Sequence, residues 1–232
     1  MKLAIMQPYF FPYLGYFQLI NSVDTFILYD DVNYIKKGWI NRNNILLNNK
    51  QHLINVPLIA ASQNKLINEI EILKENKWKL NLLKTIYQSY KTAPFFQPTY
   101  SIIEKTLYSN SETISELNTF AVREIIDYLD IKTQIKVNST IDNNKELKGQ
   151  TKILNICVNE NATNYHNPIG GIELYDRLTF KQHGIDLFFM QNRLIDYPQF
   201  NSNFISGLSI IDVLMFNNKQ EIQNMLTKYE LL

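Results

Sequence analysis

This chain has very little cysteine. Cys157 is its one cysteine, so no disulfide can form within it, which suits a reducing compartment. No apolar run approaches the roughly 18 residues that a membrane-spanning helix requires. The opening residues, MKLAIMQPYFFPYLG, carry no small-residue cleavage site of the signal-peptide kind. A cytoplasmic protein without a membrane span is therefore expected. Neither sign of charge is in excess: 23 Lys and Arg against 22 Asp and Glu leave a net charge of +1. No global field then recruits nucleic acid or an anionic membrane. Nothing has zinc-ligand spacing, so no metal site is predicted and no cofactor is identified. Internal repeats and Pro/Gly/Ser-rich linkers are absent too, and residues 1–232 are read as a single domain.

What is present is a dense apolar pattern. Lys2 to Met6 reads as a short buried strand stopped by Pro8, Gly15 to Asn21 as a helix, and Thr25 to Tyr29 as a second strand. That spacing is the size of a right-handed parallel βαβ unit. Gln51 to Leu58 is expected to be a third strand, while Leu66 to Leu73 fits strand or helix. Three helices follow, at Trp78 to Lys91, Gln97 to Tyr108 and Thr113 to Asp130, the last with Ser111 as its N-cap. They would form a helical lobe over residues 76–130, inserted between sheet segments. Ile131 to Val137 reads as a strand, Asn138 to Gln150 as a loop and Thr151 to Glu160 as a helix. The stretch NATNYHNPIGG reads as turn-rich, Ile185 to Met190 as a buried strand, and Leu208 to Phe216 and Lys219 to Tyr229 as helices. The fold class is α/β: a mostly parallel N-terminal sheet with a βαβ start shaped like that of nucleotidylyltransferases.

Three stretches hold candidate chemistry. The first is QPYFFPYLGYF, Gln7 to Phe17. A strand–turn–helix start grips phosphate in nucleotidylyltransferases through H-x-G-H, but Tyr13 and Tyr16 stand where the histidines would be. Its aromatic residues suit a ligand wall or plain core; Gln7 and Tyr9 are the candidates to face a ligand. The second follows the second strand: Asp30, Asp31, Lys36, Lys37, Trp39, Asn41 and Arg42. Ligands of open α/β sheets bind at the carboxyl ends of strands. A carboxylate such as Asp31 can take a proton or hold hydroxyls, Lys37 and Arg42 can clamp phosphate, Trp39 can stack, and Asn41 can read an edge. Arg42 is one of four arginines. The third is Tyr165, His166, Gly170 and Gly171, where paired glycines precede a short helix from Glu173. Each cluster also has a bland reading, as a solvated loop or a tight turn. Cys157 sits among Ile153, Leu154 and Ile156 and reads as core.

Taken together, QPYFFPYLGYFQLI, DTFILYDDVNYIKKGWINRNNIL, HLINVPL, SYKTAPFF, NYHNPIGG and LSIIDVLMFN resemble the WbqC-like proteins of bacteria, in order and over nearly the whole chain. Many relatives carry His before the Gln–Pro pair and Trp after the second proline; this chain has Met6 and Tyr13. The resemblance implies a role in O-antigen or other surface-polysaccharide biosynthesis, in making or decorating an unusual sugar. It supplies no residue roles.

The resulting expectation is a transferase that places an acyl group on a nucleotide-linked amino sugar. Asp31 and Lys37 would be catalytic. Gln7, Tyr9, Trp39, Asn41, Arg42, Tyr165, His166, Gly170 and Gly171 would bind substrate. Its partners would be the nucleotide-linked sugar and an activated acyl donor, free or carrier-bound; a homo-oligomer is allowed. The rivals are a nucleotidylyltransferase-like nucleotide binder and a non-catalytic assembly or carrier-binding protein. Both enzyme readings ask Gln7, Asp31, Asn41, Arg42 and Gly170 to converge on one cavity.

Overall fold

A computed structural model describes residues 1–141, 146–193, 195–200 and 203–232. Apolar strands that need cover on both faces build its centre. These are β1 (Lys2–Met6), β2 (Thr25–Leu28), β5 (Gln134–Val137), β6 (Asn164–Pro168), β7 (Asp186–Asn192) and β8 (Tyr229–Leu231). Their order across the sheet is β5-β2-β1-β6-β7-β8, parallel except for β8 at one edge. The chain first steps from β1 to β2 and out to β5, then returns to lay β6 on the other side of β1. The order therefore reverses between β1 and β6, the kind of switch point beside which open α/β sheets bind ligands.

Strand alternation divides the core in two. Ala4, Phe26 and Leu28 face α1 (Leu14–Asn21) and the helices α2 (Lys77–Tyr90), α3 (Phe96–Leu107) and α4 (Ile114–Tyr128). Leu3, Ile5 and Ile27 face α5 (Gly149–Asn159) and α6 (Arg177–Gln182), where Cys157 is buried and its thiol pKa is pushed up by desolvation. Helices α7 (Ile210–Phe216) and α8 (Lys219–Met225) close the first face.

The expected elements recur within a few residues, with several corrections. Gln51 to Leu58 does not join the main sheet. It supplies β4 (Lys50–Asn55), which pairs antiparallel with β3 (Arg42–Leu47) as a separate hairpin. Leu66 to Leu73 holds one 3-10 turn, Ile67–Glu69. The N-cap of α4 is Thr113 rather than Ser111. Its hydroxyl accepts from Glu116 N at 3.2 Å, and Glu116 reaches back to the Thr113 amide, a closed capping box. Within the turn-rich stretch lies the inner strand β6, because its neighbours supply the ladder that its polar composition disguises. Pro168, which has no N–H to donate, stands at its last position. The final helix ends at Met225, and Tyr229 begins β8. Of the loop expected at Asn138 to Gln150, residues 142–145 lie outside the described residues; Asn138–Thr140 is a 3-10 turn and α5 starts at Gly149.

Candidate functional site

The carboxyl end of β2 brings two acidic side chains, Asp30 and Asp31, beside the end of β5, where they serve different surroundings. Asp31 is buried. Its Oδ2 lies 2.8 Å from the ammonium of Lys152, in the first turn of α5, and its Oδ1 accepts from the amide of Asn138. The same ammonium sits 5.3 Å from the ring centroid of Tyr29, whose phenol pKa is raised by burial and then by Asp31. Each charge thus has an opposite partner and hydrogen bonds, which a buried ion requires.

Asp30 turns toward the other face. Its Oδ2 accepts from the hydroxyls of Ser115 at 2.9 Å and Ser139 at 2.7 Å, and its Oδ1 from the Ser139 amide at 2.9 Å. It forms part of the floor of a cleft of about 1230 Å³ between α4 and β5. Hydroxyls and amides dominate the polar lining: Asn68, Asn110, Thr113, Ser115, Thr119 and Ser139. Two of these present buried atoms with no hydrogen-bond partner among the described residues, Oγ1 of Thr119 and Oδ1 of Asn68; Thr119 is only 8% exposed. Such atoms cost free energy unless something fills them. Among the described residues three cations also line the cleft, together with the acidic Glu116. Lys105 pairs with Glu124 and Lys136 with Glu160, whereas Arg123 makes no ion pair or hydrogen bond with a described residue.

The sequence candidates are dispersed. Lys37, Asn41 and Arg42 meet in a second cleft, of about 370 Å³, beside the β3–β4 hairpin. There Arg42 Nε donates to the Gly38 carbonyl at 3.1 Å and its Nη2 to the Lys37 carbonyl. The Asn41 amide is spent on the Tyr34 hydroxyl (2.8 Å) and the Val56 carbonyl (2.9 Å). Asp31 takes Lys152, not Lys37, as its partner. Gln7 offers its carbonyl to the Tyr16 hydroxyl at 2.9 Å, and the half-buried Tyr9 ring lies 5.7 Å from that of Tyr16. Trp39 is exposed, while its carbonyl accepts from Phe10 N at 3.0 Å. Tyr165 is buried and stacked on Phe180 at 5.5 Å. His166 is buried on the opposite face, 3.0 Å from the Ser22 hydroxyl. That hydroxyl donates to the Leu19 carbonyl at 2.8 Å, so the imidazole Nδ1 is the donor to it. Gly170 and Gly171 lie inside a 3-10 turn, Ile169–Leu174, instead of preceding a helix at Glu173. Gly171 lets the Asn167 amide approach its backbone. These residues do not gather into one cavity.

The opening stretch is bound to the Asp31-to-Asn43 block, but through backbone groups. Asn43 donates to the carbonyls of Phe10 (3.1 Å) and Phe11 (2.7 Å); Asn118 donates to those of Pro8 (3.0 Å) and Ile40 (2.7 Å). Ser209, the N-cap of α7, donates to Phe11 O at 2.6 Å. Phe11 itself has φ of 42°, a left-handed backbone that these bonds hold in place.

Ser115, Thr119, Arg123 and Ser139 were not candidates from sequence. Arg123 carried one signal, being another of the four arginines. The hydroxyls carried none, because their convergence needs α4 to lie against β5.

A family model described as the WbqC-like protein family matches residues 7–224. The chain is 30% identical over 221 residues to the "Uncharacterized protein Rv1507c" of Mycobacterium tuberculosis, covering 93% of each. No solved structure matches.

Proposed function

The chain belongs to the WbqC-like protein family, and from that footing we propose that it is a transferase acting on a nucleotide-linked amino sugar held in the cleft beside Asp30. The observation that carries this reading is the cleft's lining. A polyhydroxylated ligand would supply partners that Thr119 and Asn68 do not find among the described residues, and a phosphate would supply a counter-charge that Arg123 does not find there. A volume of about 1230 Å³ accommodates both halves of such a ligand.

In this reading the amine nitrogen attacks the carbonyl carbon of an activated acyl donor, and the donor's leaving group departs. The nitrogen's proton passes to the Ser139 hydroxyl oxygen, which releases its own proton to Asp30. Asp31 and Lys152 hold the neighbouring backbone in position instead of reacting. Placement of the two substrates supplies most of the rate.

Calorimetry with nucleotide-linked amino sugars, the bare nucleotide and the free sugar tests binding, and mass spectrometry with acyl thioesters tests transfer. Affinity for the linked sugar above either half is expected, with a product heavier by the acyl group. Absence of binding across a panel of bases and sugars by a folded protein sinks the reading. Binding without transfer would favour the nucleotide-binding alternative, which the strand order supports.

A further inference from the structure

A net charge of +1 hides a local concentration of positive charge. Among the described residues the cleft beside the β3–β4 hairpin is lined by Lys36, Lys37 and Arg42, with Tyr34, Asn41, Leu53, Asn55 and Ala61, and by no acidic side chain. Neither lysine makes an ion pair with a described residue. Around these cations stand apolar side chains that face solvent: Ile35 at 47% exposure, Trp39 at 42% and Leu53 at 47%.

Ile35 to Trp39 form a tight turn in which Ile35, Lys36, Lys37 and Trp39 are exposed. Gly38 N donates to the Ile35 carbonyl at 3.3 Å, and Lys37 adopts φ of 62°. For a residue with a side chain that conformation costs roughly 1 kcal/mol or more. It is held from behind by Arg42, which donates to the carbonyls of Lys37 and Gly38, and by Phe10 N, which donates to Trp39 O. The turn is thus preorganised, and in sequence Ile35 and Trp39 bracket two lysines that are unpaired among the described residues.

We propose that this turn is a membrane-contact element, which seats the phosphate headgroup of an anionic lipid in the Lys36–Lys37–Arg42 cleft and places Ile35 and Trp39 at the headgroup–acyl boundary. Charge complementarity selects an anionic partner. Tryptophan is enriched at that boundary layer in bilayers, and basic residues add attraction to anionic lipid. Shape selects a fluid partner over a folded one. A stable protein interface takes roughly 20–30 residues a side, and this turn has five. A headgroup layer moulds itself to the turn. This inference is independent of the cleft at Asp30.

The test is co-sedimentation with phosphatidylcholine vesicles, with and without phosphatidylglycerol. It is paired with tryptophan fluorescence of a Trp78→Phe variant, in which Trp39 is the remaining tryptophan. Binding only to the phosphatidylglycerol vesicles and a blue shift of Trp39 are expected. Lys36→Glu with Lys37→Glu should weaken binding at least about tenfold, and Trp39→Ala should weaken it on unchanged lipid. All three positions are exposed, so a thermal melt should show these variants folded. Soluble glycerol phosphate should compete poorly, since it lacks the bilayer. Failure to sediment with either vesicle, equal binding to both, or indifference to the substitutions would overturn the proposal. So would retention on an immobilised acidic polypeptide without any vesicle binding, which would point to an acidic protein instead.

Discussion

The ammonium of Lys152 lies 2.8 Å from Oδ2 of Asp31, and both side chains are about 95% removed from solvent. The pair joins the end of β2 to the first turn of α5, across 121 residues of sequence. Lys152→Met should leave a buried carboxylate without its counter-charge and cost about 3–5 kcal/mol. Denaturant titration measures this. Adding Asp31→Asn to that variant should recover much of the loss, because the stranded charge is then gone. A cost below about 1 kcal/mol for the single variant would show the pair to be solvated.

His166 predicts a pH dependence. Burial, followed by the charge of Lys2, lowers its pKa from 6.5 to about 4. A group with a depressed folded pKa stabilises the fold above its unfolded value. That contribution is lost as pH falls from about 6.5 toward 4, and it can reach roughly 3 kcal/mol. His166→Gln should therefore flatten the stability profile across that window while leaving the shape above pH 7 unchanged. Parallel profiles for the two proteins would refute the assignment.

Gly15 stands where α1 meets the end of β7. A β-carbon there would collide with the amide of Asn192 and come within 2.7 Å of the Tyr13 ring. Both are side-chain ends and Asn192 is exposed, so Gly15→Ala should destabilise by no more than about 1 kcal/mol as they swing aside. Asn192→Ala should offset part of this in the double variant, giving a measurable coupling energy.

Arg123 is exposed on α4 and binds no described side chain, so Arg123→Ala should leave the melting temperature unchanged. If the cleft takes a phosphate, the same substitution should weaken nucleotide-sugar affinity by roughly 10- to 100-fold, the worth of a charge-assisted bond. Calorimetry gives both answers with one protein.

The parallel sheet was legible because Leu3 to Ile5 and Phe26 to Leu28 are apolar on both faces, a pattern that few alternatives accommodate. β6 was not, because Asn164, His166 and Asn167 become strand residues only once β1 and β7 offer a ladder. The candidate cluster after β2 was read as one site because its residues are adjacent in sequence. In space Asp30 and Asp31 point to opposite faces, as successive residues at a strand's end do. Arg42 opens the β3–β4 hairpin and Asn41 precedes it. Asn41 was read as a ligand-reading amide, and its side chain is instead a fastener between the Tyr34 hydroxyl and the Val56 carbonyl. Motif residues that clamp a backbone and motif residues that bind a ligand have the same amide chemistry. Only the position of the carbonyl partner separates them.

The place of β1 in the sheet governs how the protein must be made. Its ladder partner β6 lies 162 residues away where Met1 meets Thr163. A ribosome therefore exposes one open edge of the first strand for most of the chain's synthesis. Closing so long a loop is slow, and an unpaired hydrophobic edge recruits other chains. Fragments that end before residue 164 should aggregate, and refolding at high concentration should lose more material than refolding at low concentration.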